Sequence, residues 1–177
     1  MTVPNAALAL RVATEAHAGQ NRAGGDAYIT HPVRVASTVQ ELVQGRDAAE
    51  TLICAALLHD TIEDTSVTES NIADMFGSVV ANLVVELTSD PDQVKELGKT
   101  VYLQRKMAKM SADALLIKLA DRLDNVQDIT TARTAAWREK YRNETNEILD
   151  YIERNRVLSD THRQLIDAIR EKLQEVG

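Results

Sequence analysis

The chain has 177 residues, enough for one packed domain. Hydrophobic residues make up 44%, charged residues 27% and aromatics only 3%, so Ala, Leu, Val and Ile must fill the core, a mix that favours helices over sheets. A formal net charge of −7 argues against general nucleic-acid binding, which needs excess Lys and Arg, and no apolar run of ~18 residues offers a membrane span.

Asn5 is placed to cap a first helix ending near Gly19. The start, Met1-Thr2-Val3-Pro4-Asn5, lacks a basic region and its short apolar stretch is broken by Arg11, so no signal peptide is expected. A polar, glycine-bearing loop follows over residues 19–26. Pro32 suits the first turn of a second helix, with Val35, Val39 and Leu42 at helical spacing. Asp47 followed by Glu50 resembles a capping box for a third helix running to about His59, apolar on most sides and so expected to be central. Within it, Cys54 is the single cysteine. It reads as a buried thiol with no internal disulfide, which fits a cytoplasmic location.

Thr68 and Gly77 bracket a short helix, and Ser78 is read as the cap of the next, to about Leu87. Ser89 to Thr100, with Pro91 and Gly98, is the most loop-like stretch. A helix around Tyr102–Met110 follows, then a long one capped by Ser111 and carrying Leu115, Leu116, Leu119 and Leu123. Two amphipathic helices, about Ala135–Ile152 and Ser159–Val176, complete an all-α single domain over residues 1–177. Their exposed faces leave room for a homodimer.

Chemistry concentrates where His59-Asp60 ends the apolar third helix. Burying an unpartnered charge is expensive, and an acid disfavours a helix C-terminus. Glu63 and Asp64 come four residues later, one helical turn on. Three carboxylates and an imidazole then crowd two turns and repel unless a cation offsets them, which a divalent metal does economically. By itself the cluster also fits a surface-facing acidic helix end. His31, before Pro32, reads in isolation as a solvated turn residue. Asp121, beside Ile117 and Ala120, is compatible with the edge of a buried stripe or with a surface ion pair to Lys118 or Arg122.

His31, then His59-Asp60, then Asp121 resembles the H…HD…D ligand pattern of the HD-domain phosphohydrolases. The stretches Ala16-His17-Ala18-Gly19-Gln20-Asn21-Arg22, Tyr28-Ile29-Thr30-His31-Pro32, Leu58-His59-Asp60-Thr61-Ile62-Glu63-Asp64-Thr65 and Lys118-Leu119-Ala120-Asp121-Arg122-Leu123-Asp124-Asn125 resemble the hydrolase domain of the RelA/SpoT alarmone enzymes, and Phe76-Gly77-Ser78-Val79-Val80 before Leu87-Thr88 fits the same pattern. The likeness covers nearly the whole chain and points toward the stand-alone small alarmone hydrolases. It implies a compact multi-helix HD-domain bundle.

By that resemblance His31, His59, Asp60 and Asp121 are metal ligands. The ion is Mn²⁺ in most of the family, and composition leaves Fe²⁺ and Zn²⁺ open. Glu63 and Asp64 match an acidic pair that orients water and moves protons. Arg22 matches an arginine that stacks on guanine, Tyr28 a tyrosine of the nucleotide pocket, and Asn125 a ribose- or phosphate-binding asparagine. Lys95 aligns with a phosphate-binding lysine, and Arg142 adds a further positive charge. The implied reaction removes the 3′-pyrophosphate of ppGpp or pppGpp to give GDP or GTP. Ala23, Asp124 and Asp128 depart from the family pattern. They bear on guanine preference more than on hydrolysis. The same centre would also suit NADPH 2′-phosphate or a nucleoside monophosphate, and a module that binds the alarmone without turnover is a further alternative.

Overall fold

The computed structural model describes residues 3–129 and 133–175. Among the described residues all regular structure is helical, and Asn21 and Ala27 form an isolated antiparallel bridge. The helices fall into two compact units that divide after Thr88.

The first unit is built on α3 (Ala49–Leu58), which packs against α1 (Ala6–Ala16), α2 (Thr30–Leu42) and α6 (Ser78–Leu87). Six of its ten residues are buried, including Leu52, Cys54 and the run Ala55–Leu58. That near-continuous burial is why the helix shows no clean amphipathic stripe. Each large aliphatic side chain so buried contributes roughly 1.5–3 kcal/mol. Asn5 caps α1 as expected, its side chain accepting from the Leu8 N–H at 2.8 Å. The capping box expected from Asp47 and Glu50 does not form. Ala48 sits at the cap of α3 without a side-chain bond, and Glu50 instead accepts from the Ala6 N–H at 2.7 Å. Glu50 thus ties α3 to the start of α1, a long-range contact that spacing does not reveal.

After α3 the chain continues through a single turn, α4 (Thr61–Asp64), into α5 (Glu69–Phe76), which packs on α6. Thr68 and Asn71 form the capping box of α5, and Gly77 ends it at φ 87°. Ser78 lies inside α6 instead of capping it, because Gly77 serves both as the end of one helix and the entry to the next.

Burial, reinforced by the Glu50 charge, pushes the Cys54 thiol up to about 11. At pH 8 the native protein is therefore expected to be inert to a chromogenic disulfide reagent and to release one equivalent only on unfolding. Rapid stoichiometric reaction of the folded protein would contradict this burial.

The second unit pairs α9 (Ala112–Gln127) with α11 (Asp160–Glu175), and α8 (Lys99–Lys109) with α10 (Ala135–Asn155). The end expected for the last helix at Val176 lies outside the described residues. Ile117, Leu119, Ile148, Leu149, Ile152 and Ile166 are fully or almost fully buried. The stretch expected to be loop holds a helix, α7 (Pro91–Leu97). Asp90 accepts from the Asp92 and Gln93 N–H groups, Pro91 occupies the first turn, and Gly98 ends the helix at φ 77°. The Pro and Gly that suggest a loop are here the start and stop signals of a two-turn helix. Ser111 caps α9 through the Ala114 N–H, as expected.

Candidate metal centre

In the first unit, the glycine-bearing loop is closed at its neck. Tyr28 N–H donates to the Gln20 carbonyl at 2.9 Å and Arg22 N–H to the Asp26 carbonyl at 2.8 Å. Gly25, at φ 98°, permits the sharp return. The closure places the Arg22 guanidinium 5.7 Å from the Tyr28 ring centre and delivers the chain directly into α2. His31 therefore lies in the first turn of α2 and is 1% exposed. The solvated turn position that local sequence suggests is overturned, because the apolar stripe of α2 turns this edge against α3.

His59 follows the last residue of α3 and is 2% exposed. Its Nδ1 lies 2.7 Å from the Ala56 carbonyl oxygen. A carbonyl only accepts, so Nδ1 carries the proton, and in the neutral ring Nε2 carries the lone pair. That Nε2 lies 3.1 Å from Asp60 Oδ2, and the Nε2 of His31 lies 3.5 Å from the same oxygen. The two imidazoles meet edge to face, 5.1 Å apart. Two ring nitrogens and one carboxylate thus converge in a nearly dry place. Lone pairs and anionic oxygen at these distances repel unless a cation lies among them. Backbone anchoring of the far imidazole nitrogen is also how metal-binding histidines are commonly held. The residues present fit a divalent ion.

The Tyr28 hydroxyl donates to Asp60 Oδ2 at 2.6 Å and reaches Asp64 Oδ2 at 3.2 Å. Burial first, and then the Asp60 and Asp64 charges, raise this phenol far above its ordinary value, so it keeps its proton. Asp64 is raised too, by desolvation first and by the Asp60 charge next, against the Tyr28 hydrogen bond and His17. Asp64 N–H donates to the Asp60 carbonyl at 2.9 Å, so the helical turn expected beyond Asp60 continues. Glu63 is exposed on that turn.

His17 and Gln20 extend the network and were given no role by the sequence. The His17 ring stacks on Tyr28 at 4.6 Å, its Nδ1 lies 2.8 Å from Gln20 Oε1, and Gln20 Nε2 donates to the Asp64 carbonyl at 3.0 Å. Their spacing in the segment Ala16–Arg22 is the signal that marks them. Replacing Tyr28 by Phe removes only the hydroxyl that orients Asp60. Titration with Mn²⁺ is expected to show affinity about 10- to 100-fold weaker with the helical circular dichroism unchanged. Equal affinity would show that Asp60 needs no such support.

In the second unit, Asp121 is buried on α9 at 6% exposure. Lys118 Nζ lies 2.8 Å from its Oδ2, and Asn125, one turn on, donates to its Oδ1 and to its backbone carbonyl. Asp121 is therefore an oriented carboxylate as well as a partner of Lys118. Lys95 is exposed on α7, and Arg142 is half-buried on α10.

The all-helical fold and the paired histidines with their adjacent aspartate define the class, and the chain belongs to the HD-domain family, whose model matches residues 9–157. The match runs through the division after Thr88. The chain is 35% identical over 178 residues to a guanosine-3′,5′-bis(diphosphate) 3′-pyrophosphohydrolase of Haemophilus influenzae, covering 94% of this chain and 23% of that protein. It is 38% identical over 172 residues to the bifunctional (p)ppGpp synthase/hydrolase SpoT of Escherichia coli K12, covering 94% and 22%. The chain thus spans under a quarter of the length of these curated relatives. The solved structure of a metazoan ortholog of SpoT that hydrolyzes ppGpp superposes with a TM-score of 0.79 at 28% identity, covering 97% of this chain and 98% of that one. No described helix is long and apolar enough to cross a membrane.

Proposed function

We propose that this chain is a metal-dependent phosphohydrolase that removes the 3′-pyrophosphate of ppGpp and pppGpp, yielding GDP and GTP. The observation that carries the reading is the convergence of the His31 and His59 Nε2 atoms on Asp60 Oδ2. The named activity of its relatives, and the near-full mutual coverage with the ppGpp-hydrolyzing SpoT ortholog, supply the substrate class.

In this proposal His31, His59 and Asp60 hold one divalent ion, with Asp121 as a second carboxylate. The mixed nitrogen and oxygen donors suit Mn²⁺. When bound, such an ion supplies Lewis acidity, acidifying water and drawing charge from a phosphoryl oxygen. Tyr28 fixes the Asp60 carboxylate. Asp64, held above the ordinary carboxylate range by desolvation and the Asp60 charge, accepts a proton from the attacking water, with Glu63 beside it. Arg22, on the face of Tyr28, offers a flat cation to the guanine base. Asn125, Lys95 and Arg142 contribute polar and positive groups toward ribose and phosphates. In this reading the protein works in the cytoplasm, which a nucleotide substrate and a single buried thiol support.

Metal-stripped protein supplied with Mn²⁺ tests the proposal against ppGpp, pppGpp, NADPH and GMP, with products identified by chromatography. Pyrophosphate with GDP or GTP is expected from the two alarmones only, and none after chelation. Turnover of ppGpp that survives complete metal removal would overturn the proposal.

A further inference from the structure

The second unit holds a cavity that the proposed hydrolysis does not use. It has a volume of about 260 Å³, and residues of α8, α9 and α10 line it. Three cations border it, Lys99, Arg122 and Lys140, against one carboxylate, Glu144, for a net lining charge of +2. That is a positive hollow in a chain whose net charge is −7.

Arg122 is the decisive residue. It is only 8% exposed, yet no carboxylate forms an ion pair with it among the described residues. Its contacts are the Tyr141 side chain, whose ring centre is 5.2 Å away and whose hydroxyl it hydrogen-bonds, and the Thr145 hydroxyl, which accepts from Nη1 at a long 3.5 Å. These partners are all neutral, so the largely buried guanidinium charge has no counter-ion among the described residues, and a buried cation in that state is costly. Glu144 does not compensate, since it lies 3.7 Å from Lys140 Nζ in a pair open to solvent. A buried guanidinium with exposed lysines above it matches a multivalent oxyanion, which accepts the planar fork at two oxygens and the ammonium groups as point charges.

We propose that this cavity binds a phosphate-rich anion of the pyrophosphoryl class, with Arg122 at its floor and Lys99 and Lys140 at its rim. The site stands on residues of the second unit alone.

Trp137, the chain's single tryptophan, lies on the cavity wall and stacks on Tyr141 at 5.1 Å, so its emission reports occupancy. Metal-stripped protein is titrated with inorganic pyrophosphate, and calorimetry is run in parallel. A saturable change in Trp137 emission is expected. Lys140→Ala should weaken binding about two- to fivefold, and Glu144→Gln, which removes the opposing charge without touching the core, should tighten it. Arg122→Lys, which keeps charge but loses the fork, should weaken it more than about tenfold. Absence of both emission change and heat up to millimolar pyrophosphate would overturn the proposal, as would equal affinity in Lys140→Ala, Glu144→Gln and the parent protein. In a second arm ppGpp is added to the pyrophosphate-loaded, metal-free protein. Competition identifies nucleotide phosphates as the occupant, and its absence identifies the free anion; each supports a binding site here. Because the first arm contains no metal, failure of this site and failure of the hydrolytic reading are read out separately.

Discussion

Replacing His59 with Ala is expected to abolish stoichiometric metal binding and lower alarmone turnover by about 10³-fold or more, since an ion's electrostatic contribution to phosphoryl chemistry is worth several kcal/mol. The effect should be large because His59 presents a fixed donor atom to the ion that no other residue can replace. Its Nδ1 is fixed on the Ala56 carbonyl and its Nε2 faces Asp60. Alanine removes the donor and leaves Asp60 beside His31 alone. The fold should persist, because Leu52, Leu58 and the other buried residues of α3 are untouched. Elemental analysis of the purified variant, with product quantification under excess Mn²⁺, checks both halves. Wild-type metal content together with wild-type turnover would remove the physical basis of the assignment.

Helix boundaries set by caps were readable from the sequence where the capping group is local. Asn5, Thr68 with Gly77, and Ser111 all behave as their positions suggest. Where the partner is distant, local reading fails. Glu50 looks like half of a capping box, yet it bonds Ala6, 44 residues away. The 90–98 segment fails for another reason. Pro91 and Gly98 are turn formers by type, and only the Asp90 side chain on the Asp92 and Gln93 N–H groups shows that they delimit a helix.

The site divides along the same line. His59-Asp60 at the end of an apolar helix is conspicuous because charge is rare there. His31 is not conspicuous, since its burial depends on how α2 packs and a histidine before proline carries no such mark. Tyr28 gains most from the structure. The resemblance implies a wall of the nucleotide pocket, and the structure adds a hydroxyl bonded to Asp60 and a ring stacked on His17. Those contacts join positions 17, 28, 60 and 64, a set with no common periodicity. Arg122 is hidden for a related reason. An Arg beside an Asp suggests an ion pair, but successive helical residues point about 100° apart, and Lys118, one turn earlier, takes the Asp121 carboxylate.

Asp64→Asn is expected to separate the holding of an ion from the movement of a proton. The two carboxylates share the Tyr28 hydroxyl, with Asp60 at 2.6 Å and Asp64 at 3.2 Å. Asp64 therefore sits one hydrogen bond removed from the convergence of His31, His59 and Asp60. Asn has nearly the same shape and can still accept from Tyr28, but it cannot take up a proton near neutrality. If Asp64 is the proton acceptor, kcat falls about 10²- to 10⁴-fold while Mn²⁺ affinity and the KM for ppGpp change only a few-fold. If Asp64 merely steadies Tyr28, Asn preserves that contact and kcat stays near the parent value. Glu63→Gln is the natural comparison. Glu63 is exposed on the same turn and has no bond to Tyr28, so Asp64→Asn should show the larger loss in single-turnover measurements. The reverse order would move the proton-accepting role to Glu63 and leave Asp64 with the Tyr28 hydroxyl alone.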